Sequence, residues 1–268
     1  KGEIISCDSM QIYKDMTIGT AKPTVEEMDG IPHHLIDFVL PSERYSVADY
    51  KKAATQKIEE ILSRNKIPII VGGTGLYVDA LVYNIEYLEL ETDLKYRQEL
   101  ENLIEQKGLE ELYEKAKQID EQAMQSISKN DKKRIMRVLE IYHQTGKTKT
   151  QLEAESRLTP PPYDYIVFAI TMDREKLYER INRRVDIMIE QGLIEEVQSL
   201  VNKYKEFPTA MQGLGYKEVV EYIEGETTKE EMIEKLKMET RRYAKRQLTW
   251  FRKNKNIKWI DRFSTIRT

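Results

Sequence analysis

Residues Ile69–Tyr77 read IIVGGTGLY. An apolar run, a glycine-rich turn and the start of a helix follow one another without a gap. The run extends back to Ile67, so Ile67–Val71 reads as a buried strand of a parallel sheet. Working outward, Glu3–Ser6 and Ile166–Ile170 are similar runs, and Leu35–Phe38 is a shorter fourth. Between them Val47–Ser63 reads as a helix, with Ala48, Ile58, Ile61 and Leu62 apolar among charges. Strands alternating with helices predict a doubly wound α/β core whose ligands sit at the carboxyl ends of the strands.

The alternation stops near Leu90. From there to Arg157 the chain is helical in pattern, rich in charge and without a convincing strand, and it ends at Pro160-Pro161-Pro162. The expected organisation is therefore a core of residues 1–89 and 158–268 and a helical insertion at 90–157. With 268 residues, 40% hydrophobic and 33% charged, the chain has the composition of a soluble globular protein. No apolar run approaches the roughly 20 residues of a membrane span. One cysteine, Cys7, excludes an internal disulfide framework and fits a reducing compartment, so a cytoplasmic location is expected. A monomer is expected, since no apolar surface helix asks for a partner.

Charge is segregated. The formal net charge is -3, yet Thr240–Ile260 carries eight Lys or Arg and no acid. On a helical wheel Ile233, Leu236, Tyr243, Ala244, Leu248 and Phe251 share one side. Arg241, Arg242, Lys245, Arg246, Arg252 and Lys253 crowd an arc of roughly 140° on the other. Such a face suits a polyanion or is simply a solvated surface. Lys129–Lys149 forms a second basic segment, seven Lys or Arg against Asp131 and Glu140, with Lys133, Arg134 and Arg137 on one helix. Asp173 is placed to cap a helix, and Thr228 with Glu231 forms a capping box for the basic one.

Candidate chemistry is sparse. The turn Gly72-Gly73-Thr74-Gly75 either lets backbone amides approach a phosphate or is a tight structural turn; Val78 stands where a dinucleotide fingerprint needs its last glycine. Gly146-Lys147-Thr148 resembles the end of a Walker loop, but the first glycine would fall at Ile141 inside a helix, so Gly146 reads as a helix stop. Asp8 follows the first strand, where a carboxylate can take a proton or simply form a turn. Arg180 and Arg184, four apart beside the stripe Leu177, Ile181, Val185, Met188, either pair with glutamates or present two guanidiniums to a phosphate. His33 and His34 point to opposite faces of an extended segment and are no metal pair.

Six blocks occur together: Ser6–Tyr13 (SCDSMQIY), Ile18–Pro23 (IGTAKP), Gly72–Tyr77 (GGTGLY), Arg180–Arg184 (RINRR), Gln212–Lys217 (QGLGYK) and Arg241–Arg252. In this order they resemble the tRNA dimethylallyltransferase (tRNA isopentenyltransferase) family over nearly the whole chain. The resemblance implies a P-loop NTPase-like parallel-sheet core with an inserted all-helical domain that closes over the anticodon stem-loop of tRNA. It implies transfer of a dimethylallyl group from dimethylallyl diphosphate to N6 of adenosine 37, with Mg2+ as cofactor. Asp8 matches the base that takes the amine proton, Thr74 a residue near the base and diphosphate, and Arg184 with Arg180 the arginines that neutralise the departing diphosphate. Asp8, Ser9, Met10, Gln11, Arg97, Lys133, Arg134, Arg137, Gln212, Gly215, Tyr216, Lys217, Arg241, Arg242, Lys245, Arg246 and Gln247 lie in stretches that match tRNA contacts.

Two departures stand out. The family's glycine-rich P-loop, in a strand–loop–helix unit of roughly 30 residues, is expected upstream of Lys1, together with the Ser or Thr that would ligate the metal. Without it the polypeptide is expected to be inactive. Ser128-Lys129-Asn130-Asp131 replaces the family's frequent His-Pro-Asn-Asp, and Asn130 or Asp131 is expected to cap the basic helix all the same. The rival readings are an adenylate isopentenyltransferase, a small-molecule P-loop kinase and an inactive RNA-binding protein; both basic segments go unexplained in the first, and the Arg241–Arg252 helix in the second.

Overall fold

In the computed structural model, which describes residues 1–87 and 93–261, the chain divides into two compact units, Lys1–Asp79 with Tyr163–Thr268 and Ala80–Pro162. The first is built on strand β1 (Gly2–Ser6), flanked by β2 (His33–His34) and β3 (Ile67–Val71) in a parallel sheet of order β2-β1-β3. Registers run Gly2 with Ile67 to Ser6 with Val71, and Ile4 with His33. Helix α1 (Val47–Ser63) makes the crossover to β3. Ser46 and Asp49 close its first turn as a reciprocal capping box, and Tyr50, Ala54, Ile58 and Ile61 form its buried face.

Two strand expectations need correction. Leu35–Phe38 is not a strand: Leu35 (φ 59°) and Asp37 (φ 60°) are left-handed, and β2 lies two residues earlier. The turn they make returns Val39 to a parallel bridge with Tyr13. The run Ile166–Ile170 gives β4 (Phe168–Thr171), but this strand does not join β1 and β3. Its partner is the parallel strand β5 (Lys258–Asp261), whose charged ends hide it from an apolar-run reading. Nor are the strands buried on both faces: Ile67, Ile69 and Val71 of β3 and Phe168 and Ile170 of β4 stay exposed among the described residues.

Helix α2 (Gly75–Val82) follows the glycine turn and crosses the unit boundary. The second unit holds α3 (Leu94–Lys107), α4 (Leu109–Ile119), α5 (Glu121–Met124), α6 (Lys132–Thr145) and α7 (Lys149–Ser156). Leu100, Leu112, Ala116, Met124, Ile135, Val138 and Leu139 make its core. Asp131 caps α6 through the Arg134 amide (3.1 Å), and Gly146, left-handed at φ 69°, ends it. The expected insertion start at 89/90 lies outside the described residues. The compact helical unit runs from Ala80 to Pro162, and Asn84 Nδ2 donates to the carbonyls of Thr159 (3.4 Å) and Pro160 (3.1 Å) near its end.

The first unit resumes with β4, then α8 (Arg174–Glu190), α9 (Leu193–Lys203), α10 (Tyr216–Ile223) and the long α11 (Lys229–Phe251) before β5. Asp173 caps α8 by accepting from Glu175 N and Lys176 N, and Thr228 with Glu231 forms the capping box of α11. A second core unites Ile12, Tyr13 and Met16 with Val185, Leu193, Val197, Tyr216, Val219, Met232 and Leu236. It fixes the loop after β1 against α8–α11.

Candidate active site

Two strand ends meet at the site. Cys7 N, just past β1, donates to Val71 O (2.7 Å), and Thr74 N donates back to Cys7 O (3.2 Å). The backbones approach so closely that a Cβ at Gly72 would lie 2.2 Å from Cys7 O, and one at Gly73 only 2.1 Å from Gln247 Nε2. These glycines therefore make room for the protein's own backbone and for α11. Thr74 Oγ1 accepts from Ser9 N (2.9 Å) and donates to Ser9 Oγ (3.3 Å), locking the two loops together.

Asp8 is held in this frame. Its Oδ1 accepts from Met10 N (2.8 Å) and Gln11 N (3.2 Å), a turn that fixes the carboxyl plane. Its Oδ2 has no hydrogen bond among the described residues and is left to take a proton. Beneath lie Cys7 and the stacked rings of Tyr50 and Tyr77, 4.0 Å apart and 9° from parallel. Burial pushes the Cys7 thiol up to about 12, so it is inert.

Helix α11 joins the site from one face. Gln247 Nε2 donates to Gly73 O (3.0 Å) and Trp250 Nε1 to Asp79 Oδ2 (3.1 Å). Tyr243 lies on the same face; burial first, and then the Asp8 charge, raise its hydroxyl pKa. Its place on the apolar face of the helical wheel carries no sign of this neighbourhood. Arg242, Lys245 and Arg246 are exposed on α11 and Arg252 and Lys253 just past its end; Arg246 lies 5.8 Å from the Tyr243 ring centroid and Lys253 Nζ 5.5 Å from that of Trp250. Arg241 instead donates to Asn182 Oδ1 of α8 (2.5 Å), and Arg242 to Glu239 Oε1 (2.6 Å).

Arg180 and Arg184 are exposed on α8, and neither has a carboxylate partner among the described residues, which removes the salt-bridge reading of their spacing. No hydrogen bond or ion pair joins them to the Asp8–Thr74 turn. Gln11 spends its amide internally: Ser6 Oγ donates to Oε1 (3.2 Å), while Nε2 donates to Thr20 O and Ala21 O (3.3 Å each). Gly215 and Tyr216 are buried, so they shape their loop and present no side chain to a ligand. Gln212 is exposed, and Lys217 Nζ lies 3.3 Å from Glu218 Oε1.

Glu196 of α9 escaped the sequence reading. Its carboxylate accepts from the amides of Thr17 (3.0 Å), Ile18 (2.7 Å) and Gly19 (3.2 Å) and from Tyr216 Oη (2.7 Å). It thereby clamps the loop whose carbonyls hold Gln11. No local pattern marks a glutamate whose partners lie so far back in the chain. In the helical unit, α6 exposes Lys133, Arg134 and Arg137, and Arg97 of α3 lies 3.0 Å from the buried Glu140.

The family model described as IPP transferase matches residues 11–254. The chain belongs to the IPP transferase family. It is 52% identical over 262 residues to a tRNA dimethylallyltransferase of Acetivibrio thermocellus, covering 97% of this chain and 84% of that protein. The corresponding enzyme of Halalkalibacterium halodurans is 48% identical over 260 residues, with 97% and 83% covered. Among solved structures, a full-length tRNA isopentenylpyrophosphate transferase of Bacillus halodurans matches with a TM-score of 0.69 at 46% identity, covering 97% of this chain and 81% of that one. A eukaryotic dimethylallyltransferase described as acting on tRNA matches with a TM-score of 0.76 at 31% identity, covering 97% and 67%. The IPP transferase fold of this chain is thus an α/β core with a helical unit. No helix among its described residues is long and apolar enough to cross a membrane.

Proposed function

We propose that this chain transfers the dimethylallyl group of dimethylallyl diphosphate to N6 of adenosine 37 in the anticodon loop of tRNA. The observation that carries the reading is Asp8, pinned through one carboxylate oxygen by two amides while the other stays free, in a loop that Ser9 ties to Thr74. In the reaction the N6 lone pair forms a bond to the allylic carbon, the carbon–oxygen bond to diphosphate breaks, and the N6 proton passes to Asp8 Oδ2. An exocyclic adenine amine is a weak nucleophile, so much of the barrier must fall through stabilising the departing diphosphate. The unpaired guanidiniums of Arg180 and Arg184 offer that charge. Arg97, Lys133, Arg134 and Arg137 in the helical unit and Arg242, Lys245 and Arg246 on α11 supply phosphate contacts to the RNA.

Mg2+ would neutralise charge on the diphosphate. The described residues contain no group of three His, Cys, Asp or Glu that could hold a metal. A monomer acting in the cytoplasm, where unmodified tRNA is found, completes the proposal.

The test is incubation of the protein, with and without an added N-terminal P-loop segment, with unmodified tRNA, dimethylallyl diphosphate and Mg2+, then mass spectrometry of the digested nucleosides; activity is expected with the added segment. Asp8→Ala is expected to lower kcat by about 10²–10⁴-fold, the usual worth of a positioned base, with tRNA affinity nearly unchanged. Loss of tRNA binding in a gel shift, with turnover per bound tRNA intact, would remove Asp8 from this role.

A further inference from the structure

We propose that Glu140 is a positioning residue for tRNA, its buried carboxylate holding Arg97 and Arg137 as a pair of phosphate-facing cations. The proposal rests on the reading that the basic face of the helical unit contacts tRNA.

Glu140 is 5% exposed and stands on α6 among the buried Ile135, Met136, Val138 and Leu139. A carboxylate at such a core position is costly unless paired, and a leucine would pack there at less expense. Its partners come from two helices. Arg97 Nε of α3 lies 3.0 Å from Oε1, and Arg137 Nη1, one turn earlier on α6, lies 3.7 Å from Oε2. Both arginine side chains remain close to half exposed, at 44% and 45%. Tyr96, beside Arg97, stacks on His143 of α6 at 3.7 Å and 6°, which fixes this turn of α3 against α6.

The pairing is one of charge and not of hydrogen bonds. Glu140 Oε1 accepts no hydrogen bond even though a guanidinium nitrogen is 3.0 Å away. Neither arginine donates a hydrogen bond among the described residues. A buried ion pair kept for stability is normally saturated by aligned donors. Here the carboxylate holds two like charges side by side and leaves their N–H forks unspent. Paired guanidiniums with free donors suit successive phosphates of an RNA backbone.

The test turns on a sign. Glu140→Gln removes a negative charge from a basic face, so electrostatics alone would tighten tRNA binding. Positioning predicts the reverse: a Kd for unmodified tRNA raised about 5-fold or more, in the range of couplings between residues in contact. KM for tRNA should rise with it, while kcat stays the same. In an Arg97→Ala/Arg137→Ala background the same change should add nothing. Tighter or unchanged binding by Glu140→Gln, alongside weakened binding by the double arginine variant, would overturn the inference and spare the contact reading. A double arginine variant that binds like the parent would overturn both. Should Glu140→Gln not fold, Glu140→Asp keeps the charge but withdraws it by one methylene. It should then fold and bind measurably more weakly; parent-like binding would make Glu140 a structural residue only.

Discussion

Single positions in this site are governed by what can move out of the way. A Cβ at Gly72 would lie 2.2 Å from the carbonyl oxygen of Cys7 and 2.3 Å from its carbon, while one at Gly73 meets only the amide end of Gln247. The Cys7 backbone is tied to Val71 and Thr74 and cannot yield without disturbing Asp8; the glutamine can swing aside. Gly72→Ala is therefore expected to lower Tm and abolish prenyl transfer. Gly73→Ala should cost about 1–2 kcal/mol, most of it recovered in the double variant with Gln247→Ala. Thermal melts of the four proteins check this, and equal losses from the two glycines would contradict it. Glu3 gives a second single-residue expectation. It is buried and receives Lys66 Nζ (2.7 Å), His34 Nε2 (2.7 Å) and Arg64 Nη2 (2.8 Å). The Lys66 bond above all, then that of His34, holds its pKa at about 2 against an ordinary 4.5. A carboxylate depressed in the folded state stabilises above its unfolded pKa and loses that contribution as pH falls through the folded one. Tm should thus fall steeply between about pH 4.5 and 2. Glu3→Gln should start with a lower Tm at pH 7 and decline less over that window.

Among the elements, α11 does two jobs with two faces, and they separate by experiment. Lys245→Gln with Arg246→Gln removes two exposed charges, the second of them resting 5.8 Å over the Tyr243 ring, and the Kd for tRNA should rise. The slope of log K against log salt should shrink by about 2, one for each lost phosphate contact. Thr228→Ala, which removes the cap at the other end, should cost about 1 kcal/mol of stability and leave that slope alone. Signals of this local kind are what the sequence made legible. The limits of α1, the start of α8 at Asp173, the stop of α6 at Gly146 and the two faces of α11 are set by side chains within a few residues of the feature they control. The blocks that hold Asp8 and Thr74 also mark two loops that the structure ties together through Ser9. What stayed hidden depends on distant partners: β5, charged at both ends and paired across the chain with β4; the clamp of Glu196 on Thr17–Gly19; and the occupation of Gln11 by Thr20 and Ala21. Spacing alone could not decide whether Arg180 and Arg184 pair with glutamates, because both outcomes fit one helix face.

For the whole molecule, the sign of the net charge misleads. At -3 the chain should repel a polyanion, yet its cations gather on the C-terminal half of α11 in one compact unit and on α6, beside Arg97, in the other. Field strength near a surface follows the local arrangement, so an acidic protein can still bind RNA with a steep salt dependence. The two faces belong to different compact units, so their contributions should be independent. Combining Arg97→Ala/Arg137→Ala with Lys245→Gln/Arg246→Gln should multiply the two rises in Kd to within about 2-fold, the usual scatter for uncoupled sites. Saturating tRNA should then restore kcat, because none of the four residues belongs to the Asp8–Thr74 frame. A combined loss well short of the product would mean that tRNA engages one face at a time. Rapid filtration of labelled tRNA at two salt concentrations, with single-turnover prenylation on the same samples, measures both quantities and decides between simultaneous and alternate engagement.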